Sequence, residues 1–145
     1  MRIYIASSWK NAETVKILAD TLRLWGHEVD CFCDESSGRY VFHWSEVLIS
    51  PDKSKSELDA ITFLDDESSQ KAFQEDKKWI DWAECLVLLL PAGNSSHLEA
   101  GYAKGQGKKF FILGDFPKGE FDVMYGFADG LFRSPLQLRE ALEEL

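Results

Sequence analysis

A three-layer α/β sandwich built on a five-stranded parallel sheet is the fold class this sequence predicts, on three observations. The run Cys85-Leu86-Val87-Leu88-Leu89-Leu90 is apolar without a break and bounded by turn signals, the pattern of a strand buried on both faces. Short β-rich stretches alternate with longer stretches of helical period along the chain. The first unit, a strand, loop, helix and strand between residues 2 and 32, has connections short enough to imply parallel pairing through a right-handed crossover.

Arg2 to Ala6 alternates and is β-rich, which predicts the first strand. Ser7-Ser8-Trp9 reads as a loop. Ser8 or Asn11 can cap a helix whose apolar stripe is Val15, Leu18, Leu22 and Trp25, and Gly26 ends it. His27 to Phe32 predicts the second strand, with Cys31 and Cys33 on one face. Residues 34–50 carry no clean period: Ser36-Ser37-Gly38 marks a turn, and the stretch through Phe42, His43 and Trp44 reads as a lid or pocket wall. A short helix is expected within 52–63, with Leu58, Ile61 and Phe63 packing. The next helix is expected from Ser68 to Ala83, packing Ala72, Phe73, Trp79, Ile80 and Ala83, with the acidic run Asp65-Asp66-Glu67 at its start. Pro91-Ala92-Gly93 breaks the chain after the apolar strand. A helix then opens at Asn94-Ser95-Ser96 and runs to about Gly105, and Lys109 to Leu113 predicts a further strand. Phe121 to Phe127 reads as a short helix or turn and Gly130-Leu131-Phe132 as an edge strand. Ser134-Pro135 opens the last helix, with Leu136, Leu138, Leu142 and Leu145 as its apolar contacts. Five strands in this alternation make one flavodoxin-like domain over residues 1–145.

At 145 residues, 45% of them hydrophobic, the chain can bury a core. Its longest apolar run falls far short of the ~20 residues of a membrane span, and Met1 leads straight into strand-like sequence rather than a signal peptide. Cys31, Cys33 and Cys85 are too few for a disulfide framework, so a reducing cytoplasm is the expected setting. A net charge of −9 opposes binding of nucleic-acid polymers and leaves a small molecule as the expected partner. His27, His43 and His97 lack metal-ligand spacing, and Gly101, Gly105 and Gly107 form no dinucleotide fingerprint, so neither metal nor cofactor is expected.

Ligands of open parallel sheets bind beyond the carboxyl ends of the strands, which places Asn94 to Glu99 beside the site. Two acids stand out. Asp76 falls in the middle of the apolar stripe of its helix, where a carboxylate is the odd residue out, although a buried aspartate can also simply tie a loop. Glu99 closes Ser96-His97-Leu98-Glu99, which matches a capping box, and on spacing alone that reading is the stronger one. Taken together, paired carboxylates are what glycosidic-bond cleavage uses. Trp44 can stack on a base, with Ser45 or Glu46 at the base's edge, or can be a packed lid aromatic.

Four stretches carry a resemblance. They are Ile3-Tyr4 with Ala6-Ser7-Ser8-Trp9; Asp76, eight residues before Glu84 in Ala83-Glu84-Cys85-Leu86; Leu98-Glu99-Ala100-Gly101-Tyr102-Ala103 followed by Gly107-Lys108; and Val123-Met124 with Ala128-Asp129-Gly130. In their order and spacing they are similar to the strand and pocket loop, the catalytic aspartate, the nucleophile motif and the subunit-lent segment of the nucleoside 2-deoxyribosyltransferase superfamily. That superfamily includes the 2′-deoxynucleoside 5′-monophosphate N-glycosidases. The resemblance implies a nucleoside or nucleotide substrate whose N-glycosidic bond is cleaved. Glu99 would attack C1′ and form a covalent glycosyl-enzyme. Asp76 would assist protonation of the base or orient the nucleophile, and Tyr4 would hold Glu99 in place. Ser7, Ser8 and Trp9 would line the pocket, and Asp122 would face the sugar 5′ end. Met124 would complete a neighbour's pocket, which implies a homo-oligomer, a dimer or larger.

The sequence departs from that pattern at Gly93-Asn94-Ser95-Ser96, which has no acid where the transferases carry one. Ser7, Ser8, Ser95 and Ser96 with a helix N-terminus could hold a 5′-phosphate, whereas Asp122 would repel one. Two other readings stand beside this one: NAD or another ribosyl nucleotide as substrate, and a non-catalytic nucleotide-binding module using the same cleft.

Overall fold

The structure, a computed structural model, describes residues 1–43 and 59–145. Along the chain run β1 (Arg2–Ala6), α1 (Ala12–Leu24), β2 (Glu28–Cys31), α2 (Ala60–Phe63), α3 (Glu67–Trp82), β3 (Cys85–Leu89), α4 (Asn94–Gly105), β4 (Lys109–Leu113), β5 (Gly130–Phe132) and α5 (Pro135–Glu143). Short 3₁₀ helices occur at Trp9–Asn11, Glu35–Ser37 and Val123–Phe127. The strands form one all-parallel sheet in the order β2-β1-β3-β4-β5. This is the order of the flavodoxin-like doubly wound class, and that class, with five parallel strands, is the one the sequence predicts.

Strand alternation splits the core into two layers. Ile3, Ile5, Val87, Leu89, Phe111 and Leu113 face α1 and α5, where Val15, Leu18, Leu22, Leu138 and Leu142 meet them. Tyr4, Ala6, Leu86, Leu88, Phe110 and Ile112 face α3 and α4, against Ile80, Ala83, Ala100 and Ala103. Central β3 is buried along its whole length, as its unbroken apolar run requires.

Side chains of neighbouring elements satisfy the helix ends. Asp66 caps α3 by accepting from the Ser68 and Ser69 amides, so the acidic run begins the helix slightly earlier than expected. At the other end Lys108 Nζ donates to the carbonyls of Ile80, Asp81 and Ala83 at 2.5, 2.7 and 2.7 Å, which ties α3 to the start of β4. Ser134 and Gln137 form a capping box at α5.

Several expectations need correction. Phe73 is 59% exposed, because its side of α3 lines the open cleft rather than meeting the sheet, and Ile61 on the one-turn α2 is exposed too. Leu136 and Leu145 are also exposed, since α5 packs on the sheet layer through the i, i+4 pair Leu138 and Leu142, with Ala141 beside them. The second strand stops at Cys31, and Cys33 lies in the following turn with its sulfur 3.9 Å from that of Cys31, both as free thiols. No helix among the described residues is long and apolar enough to cross a membrane.

Candidate active site

The site forms where α3 and α4 diverge beyond the carboxyl ends of β1 and β3. Gly93, in extended conformation, is the residue that caps α4, so Asn94, Ser95 and Ser96 are already helical. The capping-box reading of Glu99 falls with this: Ser96 Oγ donates to the Ser7 carbonyl at 2.8 Å instead of receiving an amide. Ser7 Oγ in turn donates to the Leu89 carbonyl at 2.8 Å, and Asn11 Nδ2 donates to Ser7 Oγ at 3.3 Å. These bonds fasten the start of α4 to the ends of β1 and β3. Glu99 is set free to face the neighbouring helix, four residues beyond Ser95 on the same side.

Asp76 comes from the middle of α3 and Glu99 from the middle of α4. Both line a cleft of about 370 Å³ with Phe73, Lys77, Ile80, Ser95, Leu98 and Tyr102. Tyr4 lies beneath them, fully buried on β1, and among the described residues its hydroxyl has no hydrogen-bond partner. Burial, then the charge of Asp76, pushes the Glu99 carboxyl up to about 8, against the opposing pull of the Arg39 guanidinium and the Tyr4 hydroxyl. Burial also raises Asp76, again opposed first by Arg39. The Tyr4 hydroxyl is held well above its usual value by burial and then by Glu99 and Asp76. At neutral pH the Asp76–Glu99 pair therefore retains a proton, most firmly on Glu99.

Two further residues complete the cluster. Arg39, from the loop after β2, and Asp30, from β2, have side chains only 1% exposed. Arg39 Nη1 donates to Asp30 Oδ2 at 2.5 Å, and Nη2 donates to Asp76 Oδ1. Asp30 pairs across the sheet with Tyr4, which explains its inward aim. Burial works against the Arg39 charge, yet Tyr4, Asp30 and Asp76 keep the guanidinium more firmly protonated than usual. Sequence reasoning missed both residues. The signal was present: an aspartate inside the strand His27-Glu28-Val29-Asp30-Cys31-Phe32 demands a buried cation, and Arg39 follows nine residues later.

The expected site residues separate into groups. Tyr4, Asp76, Glu99 and Ser95 come together. Trp9 stands 44% exposed with its ring edge-on to Phe32 at 5.1 Å. It shares a small pocket of about 70 Å³ with Arg39, Tyr40, Phe42, Ala72 and Asp76, so that Asp76 separates this aromatic recess from the main cleft. The Ser7 and Ser96 hydroxyls are occupied by backbone carbonyls, and Ser8 accepts from the Lys10 amide within its 3₁₀ turn. Asn94, Asp122 and Met124 line a different groove of about 440 Å³ on the other flank of α4, with His97 and Tyr125. Asp122 caps the Val123–Phe127 turn by accepting from the Met124 amide. Trp44, Ser45 and Glu46 lie outside the described residues. Among the described residues no three metal-ligating side chains are grouped so as to hold a metal ion.

No protein-family model matches the chain, and neither does any curated protein. Solved structures do. A 2-deoxyribosyltransferase from Bacillus psychrosaccharolyticus superposes with a TM-score of 0.62 at 16% identity, covering 95% of this chain and 90% of the other. The CMP N-glycosidase BcmB of Clostridium botulinum gives a TM-score of 0.54 at 15% identity over all of both chains. A conserved protein from Enterococcus faecalis V583 gives 0.63 at 14% identity, over 99% and 98%. The chain thus has the fold common to a 2-deoxyribosyltransferase and a CMP N-glycosidase, the fold that its resemblance to the nucleoside 2-deoxyribosyltransferase superfamily implies.

Proposed function

We propose that this protein cleaves the N-glycosidic bond of a nucleoside, deoxynucleoside or nucleoside 5′-monophosphate through a glycosyl-Glu99 intermediate. The observation that carries this reading is the convergence of the Asp76 and Glu99 carboxyls, on separate helices, in one cleft above the buried Tyr4 hydroxyl. Glu99 passes its proton to Asp76, and the freed carboxylate attacks C1′. As the bond between C1′ and the base nitrogen breaks, Asp76 gives that proton to the departing base. Water then attacks C1′ with Asp76 accepting its proton, and Glu99 is released. A second base in place of water yields an exchanged nucleoside. The proton that Glu99 must lose is thus the proton the leaving base needs.

The exposed side chains Phe121, Val123 and Met124, at 77%, 79% and 58%, support a homo-oligomer in which this segment covers a neighbouring copy's cleft. The buried free thiols support a reducing cytoplasm as the place of action.

The test is chromatography of free base released from deoxynucleosides, their monophosphates and NAD, by wild type and Glu99→Gln, with and without a second base. Release that depends on Glu99 supports the reading, and the responsive substrate decides between phosphate, free hydroxyl and ribosyl nucleotide. Binding of ligand without release by wild type would instead favour a non-catalytic module. A strictly monomeric species in sedimentation would refute the oligomer.

A further inference from the structure

Arg39 belongs to no helix or strand, yet its guanidinium is among the most deeply buried groups in the molecule. It reaches from the loop after edge strand β2 to the middle of α3 and joins Asp30 to Asp76 through its two terminal nitrogens. Its third nitrogen, Nε, is buried and has no partner among the described residues. A buried arginine in such a bridge is costly to desolvate, and burying it beside Asp76 is a poor device for stability alone. Asp76 is the one member of the bridge that also faces the cleft, with a third of its side chain exposed.

We propose that Arg39 is a positioning residue for the proton transfer: pinned by Asp30, it fixes the Asp76 carboxyl at the cleft, where that carboxyl can take the proton of Glu99. This rests on the reading of Asp76 and Glu99 as the reacting pair. The titratable groups facing Asp76 among the described residues are Arg39 from the loop, Asp30 from β2, Tyr4 from β1, Glu99 from α4, and Glu75 and Lys77 on its own helix. Lys77 is bound to Asp81 at 2.6 Å, and Glu75 accepts from the Trp79 indole at 2.7 Å. Arg39 is therefore the cation in direct contact with Asp76. Without it, the rise that burial imposes on Asp76 would lose the cation that opposes it, and Asp76 would become a poorer acceptor for the proton of Glu99.

The test is a ¹³C carboxyl titration of Asp76 by NMR in wild type, in Arg39→Lys, and in Arg39→Met combined with Asp30→Asn, which spares the fold an added buried charge. The Asp76 midpoint should rise by about 1–3 pH units in the Arg39→Met/Asp30→Asn protein and stay near the wild-type value in Arg39→Lys. An unmoved midpoint in the folded double variant would overturn the proposal. Where turnover is measurable, the acid limb of kcat/KM should move up with that midpoint, so that kcat lost at neutral pH returns at higher pH with KM little changed. An equal loss at every pH would reduce Arg39 to a structural tie and refute the positioning role. The titration needs no substrate, so it decides the role of Arg39 even if base release is never found.

Discussion

Glu99→Gln is the sharpest perturbation, because it separates a buried reactive acid from a helix cap by stability alone. An ordinary glutamate ionises near 4.5, whereas burial and Asp76 push Glu99 up to about 8 in the folded protein. Below 4.5 the residue is protonated in both folded and unfolded chains and imposes no penalty. Between 4.5 and about 8 the unfolded chain releases the proton and the folded chain keeps it, so stability falls as pH rises, by about 1.4 kcal/mol for each pH unit. Above 8 both states are ionised and the penalty is constant. The whole span sets a ceiling of about 5 kcal/mol, and solvent entering the open cleft lowers it, so a gain of about 2–4 kcal/mol at pH 8 is expected. Glutamine copies the shape of the protonated acid and cannot ionise. The variant should therefore match wild type near pH 4.5 and become progressively more stable from pH 5 to 8. Urea unfolding at four pH values measures the gap. A gap independent of pH, or a uniform loss of about 1 kcal/mol such as a broken cap produces, would refute the account of Glu99 as a desolvated acid.

Three further outcomes follow from the same geometry. Asp76→Asn should cut kcat for base release by about 10²- to 10⁴-fold with a smaller change in KM, since an amide cannot relay the proton; steady-state kinetics on the responsive substrate checks this. Lys108→Met should lower stability by about 1.5–3 kcal/mol in thermal unfolding, because three carbonyls at the end of α3 lose a charged donor, while the pH profile of turnover keeps its shape. Gly114→Ala should destabilise by about 1–3 kcal/mol, since its Cβ would stand 2.8 Å from Leu90 Cβ, an atom fixed close to the backbone.

What the sequence could show depended on the range of the interactions involved. The strands were legible because alternation and the unbroken Cys85–Leu90 run report burial directly, and parallel order followed from the short connections. Asp76 was legible as an acid at an odd place and its pairing with Glu99 as a suggestion, but their geometry was not, since it depends on how α3 and α4 pack over the sheet. Glu99 even suggested a cap, because Ser96 and Glu99 have the capping-box spacing; Gly93 begins the helix three residues earlier and gives Ser96 a different task. Phe73 matched a core stripe by period alone, and a period cannot tell whether a helix face meets a sheet or an open cleft. Arg39 was missed for the opposite reason: the one signal for it is Asp30 inside a strand, while Arg39 itself sits in a stretch with no period and its two partners lie on a strand and a helix far apart in sequence.

The charges of the cluster bear on the chemistry it can promote. Arg39 is paired with both Asp30 and Asp76, and burial favours a proton on Glu99, so with Asp76 ionised the site carries one surplus negative charge. A neutral sugar gains little from that charge when it binds. In the proposed reaction, positive charge would build on C1′ and the ring oxygen as the bond to the base stretches, and the same surplus would become attractive at close range in a partly dry cleft. The benefit grows along the reaction coordinate and is therefore spent on the transition state rather than on ground-state binding. In that proposed reaction, the transition state in which the proton passes to the base while the bond to Glu99 is still forming is the stage at which two adjacent carboxylates are electrostatically favoured. Their costly neighbourhood in the resting protein, visible as the raised Glu99, is on this reading the ground-state counterpart of that stabilisation.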